Sequence, residues 1–207
     1  LKMNVTNLWS VPIAESMIDI DIDATLNSLK SFAFERNDEV NCDYTENKYI
    51  LNDELFSVVA NELKNEYIAY AANVLGYLTS DPFYHMDIKT SWGIRMNPGD
   101  HASRHYHAYS LVSGILYLNV DSSNRVVFHT PKNNNSFMRL PINHWNTNNC
   151  YEYSMEPEPG KLVLFPSYID HHTAKNISNE SLHCISFDVG VKGCVGKGTT
   201  GEIHIME

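Results

Sequence analysis

Residues 97–120 read NPGDHASRHYHAYSLVSGILYLNV, and the reading of this stretch decides the fold. Pro98–Gly99 marks a turn, histidines follow at 101, 105 and 107, and the run from Ser110 to Val120 has the apolar character of a buried strand. His105 and His107 stand two residues apart. Side chains at i and i+2 of a strand share one face, about 6.5–7 Å apart along the chain. Two imidazoles placed this way can converge on one cation, although a His-x-His pair by itself is a weak signal. His101 reads as a loop residue.

Working outward, the neighbouring segments are short, strand-like and separated by Asn, Gly, Pro and Ser. They are IKTSWGIRMN (88–97), RVVFHT (125–130), KLVLFPS (161–167) and LHCISFDVGV (182–191). Many short strands within roughly 100 residues predict a β-sandwich or jelly roll. Residues 131–150, rich in Asn, form a long insertion of the kind often used as a functional lid. Ahead of this block the chain reads as helical. Residues 14–34 mix an Ile/Asp alternation with a helical period through Leu26, Leu29, Phe32 and Phe34. Residues 53–77 form the clearer helix, capped by Asp53, stopped by Gly76, with Leu55, Val58, Val59, Leu63, Ile68 and Leu75 on its apolar face. Residues 37–52 read as a polar loop. The expectation is an α+β, mainly β chain forming a single domain over 1–207. Residues 1–85 give helical support, 86–190 the β core and 191–207 a Gly-rich tail ending in an edge strand.

Composition narrows the function classes. Of 207 residues, 43% are hydrophobic and 19% charged, enough for a packed core. A formal net charge of −10 opposes binding to a phosphate backbone, so no nucleic-acid partner is expected. No apolar run reaches the ~18–20 residues that span a bilayer, and no basic amphipathic helix offers a membrane surface. The N-terminal stretch lacks a signal-peptide apolar region, and Met3 reads as the natural start. Cys42, Cys150, Cys184 and Cys194 lie far apart with no CxxC pair and read as reduced thiols, pointing to a cytoplasmic protein.

A second histidine group, His171–His172, follows a Pro/Gly turn and the strand KLVLFPS. A third ligand arriving from this distant strand end would close a facial triad with His105 and His107 and leave positions open. Such donors suit non-haem Fe(II), with Zn(II) or Mn(II) as alternatives.

The segments 91–120, 159–176 and ISFDVG (185–190) together resemble the double-stranded β-helix core of the 2-oxoglutarate/Fe(II)-dependent oxygenase superfamily. The likeness is strongest to an oxygenase family of marine bacteria and phages. Its ordered elements are Trp, Gly, His-x-His, Ser-Gly-x-x-Tyr-Leu, Gly-x-Leu-x-Leu-Phe-Pro-Ser, His and Ser-Phe-Asn. The resemblance implies a jelly-roll core braced by N-terminal helices, Fe(II) and 2-oxoglutarate as cofactors, and hydroxylation of an unidentified substrate. It implies metal ligands at His105, His107 and His171, with His172 as the alternative, and Asn176 at the family's Asn position. Tyr117 takes the place of a tyrosine that holds the 2-oxoglutarate tail. His-x-His replaces the His-x-Asp of the wider superfamily. The last core strand lacks its usual Arg or Lys, which leaves His183 or Arg95 to meet the distal carboxylate. Trp92, Tyr106, Tyr109 and the 131–150 insertion fall on the substrate side. A cupin-like three-histidine metal protein stays open, because Gly99 to His107 fits G-x5-H-x-H, although the following Glu is missing. A non-catalytic jelly-roll binding protein also stays open, as does a homodimer.

Overall fold

The computed structural model describes residues 10–131 and 141–205. Two antiparallel sheets face each other. The larger runs in the order β1 (Ala14–Met17), β9 (Lys161–Pro166), β6 (Val112–Asn119), β11 (Leu182–Val195), β4 (Tyr84–Met96), β3 (Cys42–Thr45) and β2 (Phe34–Asn37). A short strand, β12 (Ile203–Ile205), pairs with the far end of β11. The smaller sheet runs β5 (Ala102–His105), β10 (His171–Thr173), β7 (Val126–His129) and β8 (Glu152–Met155).

Both faces of the larger sheet are covered, which is why β6 and β9 read as unbroken apolar runs. One face packs on helices α1 (Ile22–Lys30) and α2 (Ser57–Ala69) through Leu29, Leu63, Tyr67, Leu116 and Phe187. The other meets the smaller sheet through Ile94, Ile115, Tyr117, Phe128, Phe165 and Cys184. Gly114 is required where β6 pairs with β11 opposite Phe187, because a Cβ there would run into the Phe187 ring. The result is a jelly roll braced by helices, and among the described residues no helix is long and apolar enough to cross a membrane.

The helical expectation for 53–77 meets a helix that starts in two short tight turns, continues as α2 and widens over Tyr70–Val74. Asp53 accepts the Leu55 N–H at 3.0 Å, and Gly76, at φ +72°, ends the run. The buried stripe is Val59, Leu63, Tyr67, Tyr70 and Ala71, while Leu55 and Val58 face solvent.

Two segments differ from the sequence reading. Within 14–34, only Ile22–Lys30 is helical, starting after Asp21, whose carboxylate accepts the Ala24 N–H at 2.9 Å. Ala14–Met17 instead pairs with β9, Ala14 opposite Leu164 and Met17 opposite Lys161, and covers its open edge. The supposed loop at 37–52 contributes β3, which joins β2 and β4 into the sheet with Tyr44 opposite Ile94. Both segments are strands because a neighbour supplies their hydrogen bonds, which local propensity does not report. Part of the 131–150 insertion, residues 132–140, lies outside the described residues.

Candidate metal centre

Three histidines meet at the mouth between the sheets. Pairing of β5 with β10 sets His105 directly opposite His171. His107, two residues past the end of β5, is held against β9 by its N–H, which donates to Ser167 O at 3.0 Å. One ring nitrogen from each histidine lies within 4.8 Å of the others. Ring centroids are 4.4 Å apart for His105–His171, 5.1 Å for His107–His171 and 5.2 Å for His105–His107.

The second nitrogen of each ring is already used. His105 Nδ1 lies 2.6 Å from Ser103 O and His171 Nδ1 lies 3.0 Å from Ile169 O. A carbonyl only accepts, so both rings carry the proton on Nδ1 and keep the Nε2 lone pair. His107 Nδ1 donates to Asp188 Oδ1 at 2.7 Å, which leaves His107 Nε2 buried without a partner among the described residues. A buried unpaired lone pair is costly, and a cation placed between the three rings removes that cost. The donor set and its orientation therefore fit a metal.

Electrostatics support the same state. Burial, followed by the neighbouring His105 and His107, pushes the His171 imidazole down to about 3. Burial also lowers His105. Both rings are thus neutral near neutral pH, the form that binds metal. Phe165 stands edge-on to His171 at 4.7 Å, and Trp92 stacks on His107 at 5.7 Å, so the inner wall is apolar.

Asp188 is the residue that sequence reasoning missed. It lies on β11, 81 residues from His107, and its Oδ1 also accepts the Ser113 hydroxyl at 2.6 Å. Ser167 supports Ser113 at 2.8 Å. The available signal was an acid inside the apolar run LHCISFDV, because a buried carboxylate needs donors.

Of the other residues named from sequence, Tyr117 points between the sheets, where its hydroxyl sits beside the Val126 backbone but completes no hydrogen bond among the described residues. Trp92 Nε1 is likewise buried and has no hydrogen-bond partner among the described residues. Neither Arg95 nor His183 reaches this interior. Trp92, Ile94 and Met96 take the inward positions of β4, so Arg95 points to the opposite face. There its Nη2 donates to Asp43 at 2.8 Å and the guanidinium covers the Phe34 ring at 4.6 Å. Leu182 and Cys184 point inward on β11, so His183 turns outward, 2.9 Å from Asn119 Oδ1. His172 points away from His171 and sits 2.8 Å from His129. The Asn176 amide donates to Met96 O at 2.9 Å and Glu180 O at 2.8 Å, which makes it a staple between segments. Tyr106 and Tyr109 are exposed. Tyr106 lines a cavity of about 230 Å³ with His129, Tyr168 and Asp170. A larger cleft of about 630 Å³, bounded by Val11, Phe128, Tyr151 and Met155, adjoins it at His129 and Pro131, and none of the three histidines lines either space.

Known proteins resemble this chain in sequence over part of its length and in fold. Residues 90–188 match the family model described as "Putative 2OG-Fe(II) oxygenase". No curated protein matches the chain in sequence. Among solved structures, a Pseudomonas putida prolyl-4-hydroxylase superposes with a TM-score of 0.58 at 12% identity, covering 86% of this chain and 93% of that one. The α-ketoglutarate-dependent epimerase SnoN of nogalamycin biosynthesis gives 0.61 at 11% identity, covering 88% and 79%. HygX from Streptomyces hygroscopicus, solved with nickel and 2-oxoglutarate, gives 0.60 at 9% identity, covering 87% and 83%. The last two likenesses, like the first, speak for the shared fold. The jelly roll, the three-histidine cluster and the match over residues 90–188 together make the core of this chain similar to the 2OG-Fe(II) oxygenase family.

Proposed function

We propose that the chain is an Fe(II)- and 2-oxoglutarate-dependent oxygenase that holds its metal on His105, His107 and His171 and hydroxylates a substrate arriving at the mouth between the sheets. The observation that carries this reading is the set of three imidazoles whose Nδ1 atoms are all engaged, one of them with a buried Nε2 that has no partner. When bound, Fe(II) with 2-oxoglutarate supplies the activation of O2 that couples decarboxylation of the keto acid to insertion of oxygen into a C–H bond.

The protein's own part is placement and charge. The Ser103 and Ile169 carbonyls lock the tautomers of His105 and His171. Three neutral imidazoles bring no negative charge, unlike a set containing a carboxylate ligand. Asp188 returns that charge one residue further out through His107. Inside, the buried Tyr117 hydroxyl and Trp92 N–H are unused donors suited to an acceptor such as a carboxylate. Each arginine among the described residues is ion-paired with an acid, so neutral donors take the larger share there. Phe165 and Trp92 keep water from the rings. Tyr106 and Tyr168 line the nearby mouth and offer apolar surface to a substrate.

The test is His105→Ala, read by metal content and by succinate formation coupled to O2 uptake. Loss of both is expected. Metal content equal to wild type would reject the ligand assignment. Metal binding in wild type with no response to 2-oxoglutarate would favour the cupin-like reading.

A further inference from the structure

A second cluster of metal-ligating side chains lies at the opposite end of β11. Beyond its core span, β11 reaches Val195, turns through Gly196 and Gly198, both at positive φ, and returns as β12. Cys194 and His204 are direct cross-strand partners, so their side chains share one face, and Glu202 joins them two residues before His204. Cys194 Sγ lies 3.8 Å from His204 Nε2, and Glu202 Oε1 lies 3.0 Å from the same nitrogen. The three ligand atoms fall within 4.8 Å of one another.

We propose that Cys194, Glu202 and His204 form a second metal site, of the Zn(II) class, which closes the C-terminal hairpin. Tetrahedral zinc with ordinary Zn–S and Zn–N bonds sets sulfur and nitrogen about 3.5 Å apart, so the observed pair needs only a small contraction. The donor types also separate this site from the histidine centre. Thiolate favours Zn(II) over hard cations, whereas the centre at His105 holds no sulfur. The carboxylate is pre-set: Gly198 N–H donates to Glu202 Oε2 at 2.8 Å and leaves Oε1 toward His204. His204 is largely exposed, which leaves room for a water as fourth ligand.

The hairpin also needs such a tie. Ile203 and Ile205 are exposed, so β12, a three-residue edge strand on β11, gains little from burial. Its root is fixed by Gly193, at φ +113°, packed against the Phe83 carbonyl. Lys197, 3.5 Å from Glu202, is the local competitor for the carboxylate. Without a metal, the cluster holds together through the His204–Glu202, Gly198–Glu202 and Cys194–His204 hydrogen bonds and the Lys197 ion pair.

Anaerobic Co(II) titration of the full chain tests the proposal, because a thiolate-to-Co(II) charge-transfer band reports a cysteine ligand. The expected result is a band that saturates by two equivalents in wild type, where the histidine centre also takes Co(II), and by one equivalent in His105→Ala, and that Zn(II) bleaches in both. It should persist in His105→Ala, disappear in Cys194→Ser, and lose at least tenfold in affinity in His204→Asn. No band in wild type overturns the proposal, as does a band unchanged in Cys194→Ser or His204→Asn. His105→Ala separates the two centres, so the failure of one assignment leaves the other standing.

Discussion

Replacing Asp188 by Asn removes one charge and almost no volume. Only 9% of the His107 side chain and 10% of the Asp188 side chain are exposed, so solvent does little to screen the pair at 2.7 Å. Asn can still turn its carbonyl oxygen toward His107 Nδ1–H, which keeps the ring in place. What is lost is the negative charge that makes Nε2 a stronger donor and offsets the cation. Changing such a partner of a metal-bound histidine weakens metal affinity by about 10–100-fold, or about 1.4–2.7 kcal/mol. Asp188→Asn should therefore bind Fe(II) or Co(II) this much more weakly in anaerobic competition titrations near neutral pH. The metal-free protein should melt close to wild type, because Ser113 keeps an acceptor. Affinity within twofold of wild type would refute the reasoning that Asp188 stands in for a carboxylate ligand.

The metal-free protein should lose stability as pH falls. His171 titrates at about 3 when folded against an ordinary 6.5, so the unfolded chain takes up a proton that the folded chain refuses. Stability is complete above about pH 6.5 and falls below it, with a slope approaching about 1.4 kcal/mol per pH unit. Lowering of His105 acts in the same direction. Denaturant titrations at about pH 7 and about pH 5 measure the slope, and equal stability at the two would contradict the buried neutral state. Tyr117→Phe removes a buried hydroxyl that completes no hydrogen bond. The metal-free melting temperature should hold or rise, while 2-oxoglutarate binding weakens by roughly tenfold in calorimetry. Unchanged 2-oxoglutarate affinity would release Tyr117 from any co-substrate role.

The amino-acid sequence by itself determined the alternation of short strands and turns and the burial of SGILYLNV. It also set the two-residue spacing that can bring His105 and His107 together, and the strand end that delivers His171. These are local properties: period two, turn residues and apolar runs are written within a few positions. Face parity was written there too. Arg95 is three residues from Trp92 and His183 is one from Cys184, so neither shares the inward face, a consequence of the pleat that residue type alone does not suggest. The tertiary structure decided the rest. Ala14–Met17 is a strand because the β9 edge was open, and Cys42–Thr45 because β4 lay beside it. Asp188 meets His107 only because the register of β11 on β6 sets Asp188 opposite Ser113. Contacts across 81 residues depend on how whole sheets pair and pack, and that free energy belongs to no single segment.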